Sequence, residues 1–140
     1  MPDLARRKWL FMPTVLIIDD SEFDRRMIMT AMKFACDNLK CVELSKGERA
    51  LETMRSESPS LTILDIRMPG MSGWDVLEQI KSDDVLRGLN VVMMSGSHSV
   101  GDIKMAETKG ADGFYTKPHK KSDYIVVADD MRRTYINIAA

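Results

Sequence analysis

Short apolar segments that alternate with helical spacing constrain this chain more than any other feature. Five such segments recur: Thr14 to Ile18, Cys41 to Leu44, Leu61 to Leu64, Asn90 to Met94 and Gly113 to Thr116. Val15-Leu16-Ile17-Ile18, Leu61-Thr62-Ile63-Leu64 and Val91-Val92-Met93-Met94 are nearly continuous apolar runs, the pattern of parallel strands covered on both faces. Such strands need crossover helices, and the intervening stretches supply them. A first helix is expected from Ser21, whose hydroxyl can cap it while Glu22 and Asp24 suit its positive end, with Phe23, Met27, Thr30 or Ala31, and Phe34 on one face. A second spans Lys46 to Ser56 with Ala50, Leu51 and Met54. Trp74, Leu77 and Ile80 mark a third. Ile103 and Ala106 mark a fourth, begun at Asp102 and closed by Gly110. Tyr124, Ala128, Met131, Tyr135 and Ile138 mark a fifth, begun at Ser122. Alternation of this kind specifies an α/β doubly wound, five-stranded parallel sheet with five helices and right-handed crossovers.

At 140 residues the chain supplies one domain with a core large enough to fold without disulfides or a structural metal. We read residues 1–12 as an N-terminal extension and residues 13–140 as the domain, with nothing after the last helix for an output module. Twenty basic residues against 21 acidic ones leave a formal charge of -1, so no global field draws the chain to nucleic acid or to a membrane surface. Arg6, Arg7 and Lys8 ahead of an apolar run mimic an export signal, but Pro13 interrupts the run and Asp19-Asp20 ends it. It is also too short to cross a bilayer. Cys36 and Cys41 fit buried, reduced packing residues in a cytoplasmic protein. Most of the 12 methionines are expected as core filler on the first and fourth helices and the fourth strand.

In doubly wound sheets, sites form beyond the carboxyl ends of the strands, at a topological switch point. That rule selects Asp19 and Asp20 after the first strand, Asp65 at the end of the third, Ser95 after the fourth and Lys117 after the fifth. Carboxylates brought within about 4 Å repel by roughly 4 kcal/mol per pair at an effective dielectric near 20, so a cation is implied. All-oxygen ligation suits Mg2+, which shares its shell readily with phosphate oxygens. Acid, amine, hydroxyl and Mg2+ together suit phosphoryl transfer onto a carboxylate, with Asp65 attacking.

Asp19-Asp20, the run from Leu64 through Asp65-Ile66-Arg67-Met68-Pro69-Gly70-Met71-Ser72-Gly73, Ser95-Gly96 and Lys117-Pro118 stand in an order and spacing that resembles the receiver domain of two-component response regulators. The resemblance spans roughly residues 14–138. It implies the flavodoxin-like (βα)5 fold of CheY-like receivers and a signalling phosphoprotein rather than an enzyme. Asp65 would be the phosphoacceptor, Asp20 a direct Mg2+ ligand, Asp19 a ligand through water, and the main-chain carbonyl of Arg67 the last protein ligand. Ser95 would be the switch hydroxyl, Lys117 the partner of a phosphoryl oxygen, and Phe114 the switch aromatic, where tyrosine is common. Arg67 and Ser97 would line the phosphoryl site and tune phosphate lifetime. The phosphoryl group would come from a sensor histidine kinase or a histidine phosphotransfer protein, docked near Glu22 to Met29, and the signal would leave by contact with a downstream protein. Tyr115 should face away from Phe114.

Other function classes fit less well. A phosphate sink or scaffold on the same fold is not separable by sequence. A haloacid-dehalogenase-like, Mg2+-dependent aspartyl-phosphate phosphatase needs a second aspartate where Arg67 stands. A flavodoxin-like nucleotide binder needs a glycine-rich loop after the first strand, where Asp19-Asp20 would repel phosphate. His98 and His119 are read as loop residues without a specific role, and Lys120-Lys121 and Arg132-Arg133 as solvated faces.

Overall fold

The computed structural model describes residues 12–97 and 99–136. Its elements run in strict alternation: β1 (Thr14–Ile18), α1 (Glu22–Ala35), β2 (Lys40–Leu44), α2 (Ala50–Glu57), β3 (Leu61–Asp65), α3 (Gly73–Lys81), β4 (Val91–Ser95), α4 (Val100–Thr108), β5 (Gly113–Thr116) and α5 (Lys121–Tyr135). The strands form one parallel sheet in the order β2-β1-β3-β4-β5. The chain reverses its winding between β1 and β3, which opens the switch-point crevice at the carboxyl ends of those two strands.

Period-two alternation along β1 sends Val15 and Ile17 to one face and Leu16 and Ile18 to the other. On the first face they meet Ile28, Ala31 and Met32 of α1 and Tyr124, Ala128 and Met131 of α5. The second face is covered by Ala50 and Met54 of α2, Val76, Leu77 and Ile80 of α3, and Ala106 of α4. Each fully buried Leu or Ile side chain contributes about 1.5–3 kcal/mol by leaving water. The packed sandwich holds the strands whose carboxyl ends carry the acidic residues.

Several expectations need correction. In α1 the buried stripe is Ile28, Ala31 and Met32, whereas Phe23 and Phe34 are 69% and 72% exposed. The helix has to face the sheet and α5 at once, and the aromatics at its two ends fall outside that seam. Residues Ser45 to Arg49 are turns, so α2 begins at Ala50 rather than Lys46. The fourth helix starts at Val100, capped by Ser99. It buries Ala106 alone, with Ile103 and Met105 at 36% and 43% exposure, so Met105 is not core filler. Met32, Met54, Met93, Met94 and Met131 do fill the core. Cys36 is buried but Cys41 only half-buried; both are free thiols. Burial pushes the Cys36 thiol up from its ordinary value and the Cys41 thiol up to about 11, which keeps both protonated and unreactive. Trp9, His98 and Ile138 lie outside the described residues.

Candidate phosphoacceptor site

Asp65 closes β3, paired in register with Met94 of β4, and is only 6% exposed. The chain after it turns sharply back. Gly73 N donates to Ile66 O at 2.8 Å, which lays the start of α3 against the end of β3. A methyl group at Gly73 would run into the main-chain oxygen of Asp65, so only glycine permits this approach.

Asp19 follows β1 and is 1% exposed, whereas its neighbour Asp20 is exposed. Asp19 is held from three directions. Its N–H donates to Leu44 O at 3.0 Å, its carbonyl accepts from Arg25 Nη1 at 2.7 Å, and its Oδ1 accepts the Ser21 N–H at 2.9 Å. Arg25 is itself braced by Glu43 of β2 at 3.2 Å. Asp19, Asp20 and Asp65 each offer a carboxylate oxygen, and the three lie within 4.8 Å of one another.

Lys117 enters from the end of β5, where its N–H donates to Ser95 O at 2.7 Å. Its Nζ lies 2.8 Å from Asp19 Oδ2 and 3.3 Å from Asp65 Oδ1, and it donates to Asp24 Oδ2 at 2.9 Å. Ser95 is 3% exposed; its Oγ accepts the Ser97 N–H at 3.3 Å and lies 3.4 Å from Ser97 Oγ. Phe114 packs with the α2, α3 and α4 cluster, and Tyr115 points to the opposite face, where its hydroxyl donates to Asp130 at 2.6 Å. Arg67 turns outward, 64% exposed, and its guanidinium forks onto Asp102 of α4 at 3.0 and 3.5 Å. An open cleft of about 560 Å³ beside the carboxylates is lined by Asp20, Arg67, Met68, Pro69 and Trp74. His119, Lys120 and Lys121 are exposed beyond β5.

Burial, reinforced by the charge of Asp19, raises the Asp65 carboxyl to about 6, with Lys117 only partly offsetting it. Burial alone would lower the Lys117 ammonium, but the carboxylates of Asp19, Asp24 and Asp65 outweigh it and hold its pKa above the ordinary value. Lys117 is therefore a fixed positive charge. Asp19 Oδ2 is buried, with the Lys117 ammonium at 2.8 Å as its partner among the described residues. One ammonium does not neutralise Asp19, Asp20 and Asp65, whose oxygens lie within 4.8 Å of one another, and the surplus negative charge on an all-oxygen donor set is suited to a hard divalent cation.

The structure brings together Asp19, Asp20, Asp65 and Lys117 as expected from strand-end logic. It adds Asp24 and Asp102, which sequence reading missed. Asp24 reads as a helix N-terminal acid, Asp102 as a helix start, and neither reading carries a signal that its carboxylate leaves its own helix.

The sequence model of the response regulator receiver domain matches residues 15–129. The rice protein Two-component response regulator ORR11 (Oryza sativa subsp. indica) is 34% identical over 112 residues, covering 79% of this chain and 75% of that protein. Among solved structures, the phosphorylated cyanobacterial phytochrome response regulator RcpA superposes with a TM-score of 0.81 at 24% identity, over 91% of this chain and 96% of that one. The Mn(2+)-bound form of response regulator Rcp1 gives 0.78 at 21% identity, over 91% and 97%. Fold, strand-end chemistry and family match agree, and the chain belongs to the response regulator receiver domain family of two-component signalling proteins.

Proposed function

We propose that this receiver accepts a phosphoryl group on Asp65 from a sensor histidine kinase or a histidine phosphotransfer protein, in a Mg2+-dependent reaction. The observation that carries the reading is Asp65 itself: a nearly buried carboxylate at a strand end, beside two more carboxylates and 3.3 Å from a lysine. An Asp65 carboxylate oxygen forms the new bond to phosphorus while the bond from phosphorus to the donor's imidazole nitrogen breaks, and the leaving nitrogen keeps that electron pair. Asp20 directly, Asp19 through water, Asp65 and the Arg67 main-chain carbonyl would hold Mg2+, whose role is to neutralise charge on the transferring group. Lys117 pairs with a phosphoryl oxygen. Ser95 releases the Ser97 amide and turns its hydroxyl toward the phosphoryl group, and Phe114 follows it inward. The surface of α4, β5 and α5 changes with them and is read by a downstream protein.

Arg67 and Ser97 tune the lifetime of the phosphoryl group. Replacing Arg67 by Asn changes the decay rate of phosphorylated protein, and equal rates would remove Arg67 from that role. Residues 1–12 are an extension outside the receiver proper. No helix among the described residues is long and apolar enough to cross a membrane, and cytoplasmic residence rests on the two unpaired thiols. Slow hydrolysis of its own aspartyl phosphate is the extent of its catalysis, since Arg67 stands where an aspartyl-phosphate phosphatase would place a second acid.

The test is intact mass after incubation with Mg2+ and acetyl phosphate. Wild type should gain one phosphoryl group and Asp65→Asn none, and omission of Mg2+ should prevent the gain. A folded, Mg2+-binding wild type that stays unmodified would favour a scaffold.

A further inference from the structure

Three helices of this chain begin with serine followed three positions later by aspartate: Ser21 and Asp24 at α1, Ser72 and Asp75 at α3, Ser99 and Asp102 at α4. In each, the serine hydroxyl accepts the aspartate main-chain N–H, at 3.2, 3.3 and 3.3 Å respectively. A closed capping box also returns the aspartate carboxylate to the serine N–H. The α3 box is closed, with Ser72 N donating to Asp75 Oδ2 at 3.1 Å. The α1 box is open, because Asp19 Oδ1 already takes the Ser21 N–H. That leaves the Asp24 carboxylate unused by its own helix, and it reaches Lys117, 93 residues away in sequence.

The placement has a consequence for cation binding. The Lys117 ammonium has three protons and three carboxylates around it. Asp19 and Asp65 belong to the trio suited to a divalent cation, and Asp24 does not. An ammonium and a divalent cation compete for the same oxygens and repel each other across a short, half-buried gap. With side-chain exposures of 14% for Lys117 and 24% for Asp24, solvent screens their attraction only partly. Asp24 therefore offers Lys117 a partner on α1 that is not one of the three carboxylates suited to the cation.

We propose that Asp24 is a positioning residue for Lys117, taking a share of an ammonium that otherwise sits wholly on Asp19 and Asp65 and so weakening its competition with Mg2+ for their oxygens. The proposal rests on the metal-assisted phosphoacceptor reading above. Without the Asp24 charge, Lys117 is held by Asp19 and Asp65 alone and becomes a stronger competitor of the metal. An asparagine at this position keeps the main-chain N–H that Ser21 caps, so the cap of α1 is retained.

The experiment is calorimetric titration of the full chain with Mg2+, and separately with Mn2+, for wild type, Asp24→Asn, Asp24→Glu, Lys117→Met and the double variant. Asp24→Asn should bind Mg2+ about three- to tenfold more weakly, the scale measured for partly exposed charge pairs. Asp24→Glu should recover most of that loss. Lys117→Met should bind at least as tightly as wild type, and adding Asp24→Asn to it should change affinity less than about twofold. Unchanged affinity in Asp24→Asn, or the same loss with and without Lys117, would overturn the positioning role, the second result assigning Asp24 a bulk charge effect. Failure of the acceptor reading is a separate outcome, in which the metal affinities respond as stated but acetyl phosphate adds no mass to wild type.

Discussion

Arg67, two residues past Asp65, holds Asp102 at the first turn of α4 through both terminal guanidinium nitrogens, at 3.0 and 3.5 Å. The same carboxylate lies 3.5 Å from Ser97 Oγ, and Ser97 in turn holds Ser95. A polar chain thus runs from the loop after β3 to the hydroxyl at the end of β4 by way of α4. That helix has only Ala106 buried in the core, so this chain is a substantial share of what orders its N-terminal turn.

Breaking the pair should loosen α4 without unfolding the protein. Arg67 is 64% exposed, so Arg67→Gln or Asp102→Asn should cost under about 1 kcal/mol of global stability. Amide hydrogens in the first two turns of α4 should nevertheless exchange several-fold faster, measured by hydrogen exchange at peptide resolution. Unchanged exchange there would show that packing of Ala106 alone orders the helix.

Gly73→Ala should be among the most damaging small substitutions in the chain. The added methyl meets the Asp65 main-chain oxygen and lies 2.8 Å from the Ile66 Cα, both backbone atoms that cannot rotate away. A loss of about 1–3 kcal/mol is expected from overpacking, measured by urea unfolding. Phosphorylation of the remaining folded protein by acetyl phosphate should also slow, because the shift falls on Asp65, the proposed acceptor. Gly101→Ala is the control: its nearest neighbour is Ser99 Oγ at 3.5 Å, and within α4 the change should stabilise by about 0.5–1 kcal/mol.

Asp65 makes stability depend on pH in a definite direction. Its carboxyl is raised from 3.8 to about 6 by burial and by Asp19. The folded state therefore binds this proton more tightly than the unfolded state. The stabilisation is full below about pH 4, is lost as pH rises to about 6, and above that the ionised group costs roughly 3 kcal/mol. In metal-free buffer Asp65→Asn should be more stable than wild type at pH 8, with the gap closing toward pH 4. Added Mg2+ should narrow the gap at pH 8 by stabilising wild type. A difference independent of pH would rule out this linkage.

Thr62 has a fully buried hydroxyl in the middle of β3, with no hydrogen-bond partner among the described residues. Thr62→Val removes that unpaired polar atom at nearly constant shape and should raise stability by about 1 kcal/mol, read as a higher urea midpoint. A destabilised variant would mean that the hydroxyl is satisfied in solution.

Much of this molecule is set by local pattern. Three continuous apolar strands, the spaced helices between them and the acid, hydroxyl and amine at strand ends determine a doubly wound sheet and place Asp19, Asp20, Asp65, Ser95 and Lys117 around one crevice. They do so because side-chain period and crossover handedness leave few alternatives. Phe114 and Tyr115 are likewise legible as a pair on opposite faces, since strand alternation requires it. The face of α1 was not, because Phe23 and Phe34 are as hydrophobic as Ile28 and Met32, and only the shared seam with the sheet and α5 decides which are covered. Nor were the roles of Asp24 and Asp102. The pattern Ser-x-x-Asp is identical at α1, α3 and α4, and whether its carboxylate closes the cap depends on a competing acceptor or a basic residue brought near from far along the chain. A sequence specifies which groups can hydrogen-bond; the tertiary structure decides which partner is within 3 Å, and for these two aspartates that is a lysine 93 residues away and an arginine 35 residues away.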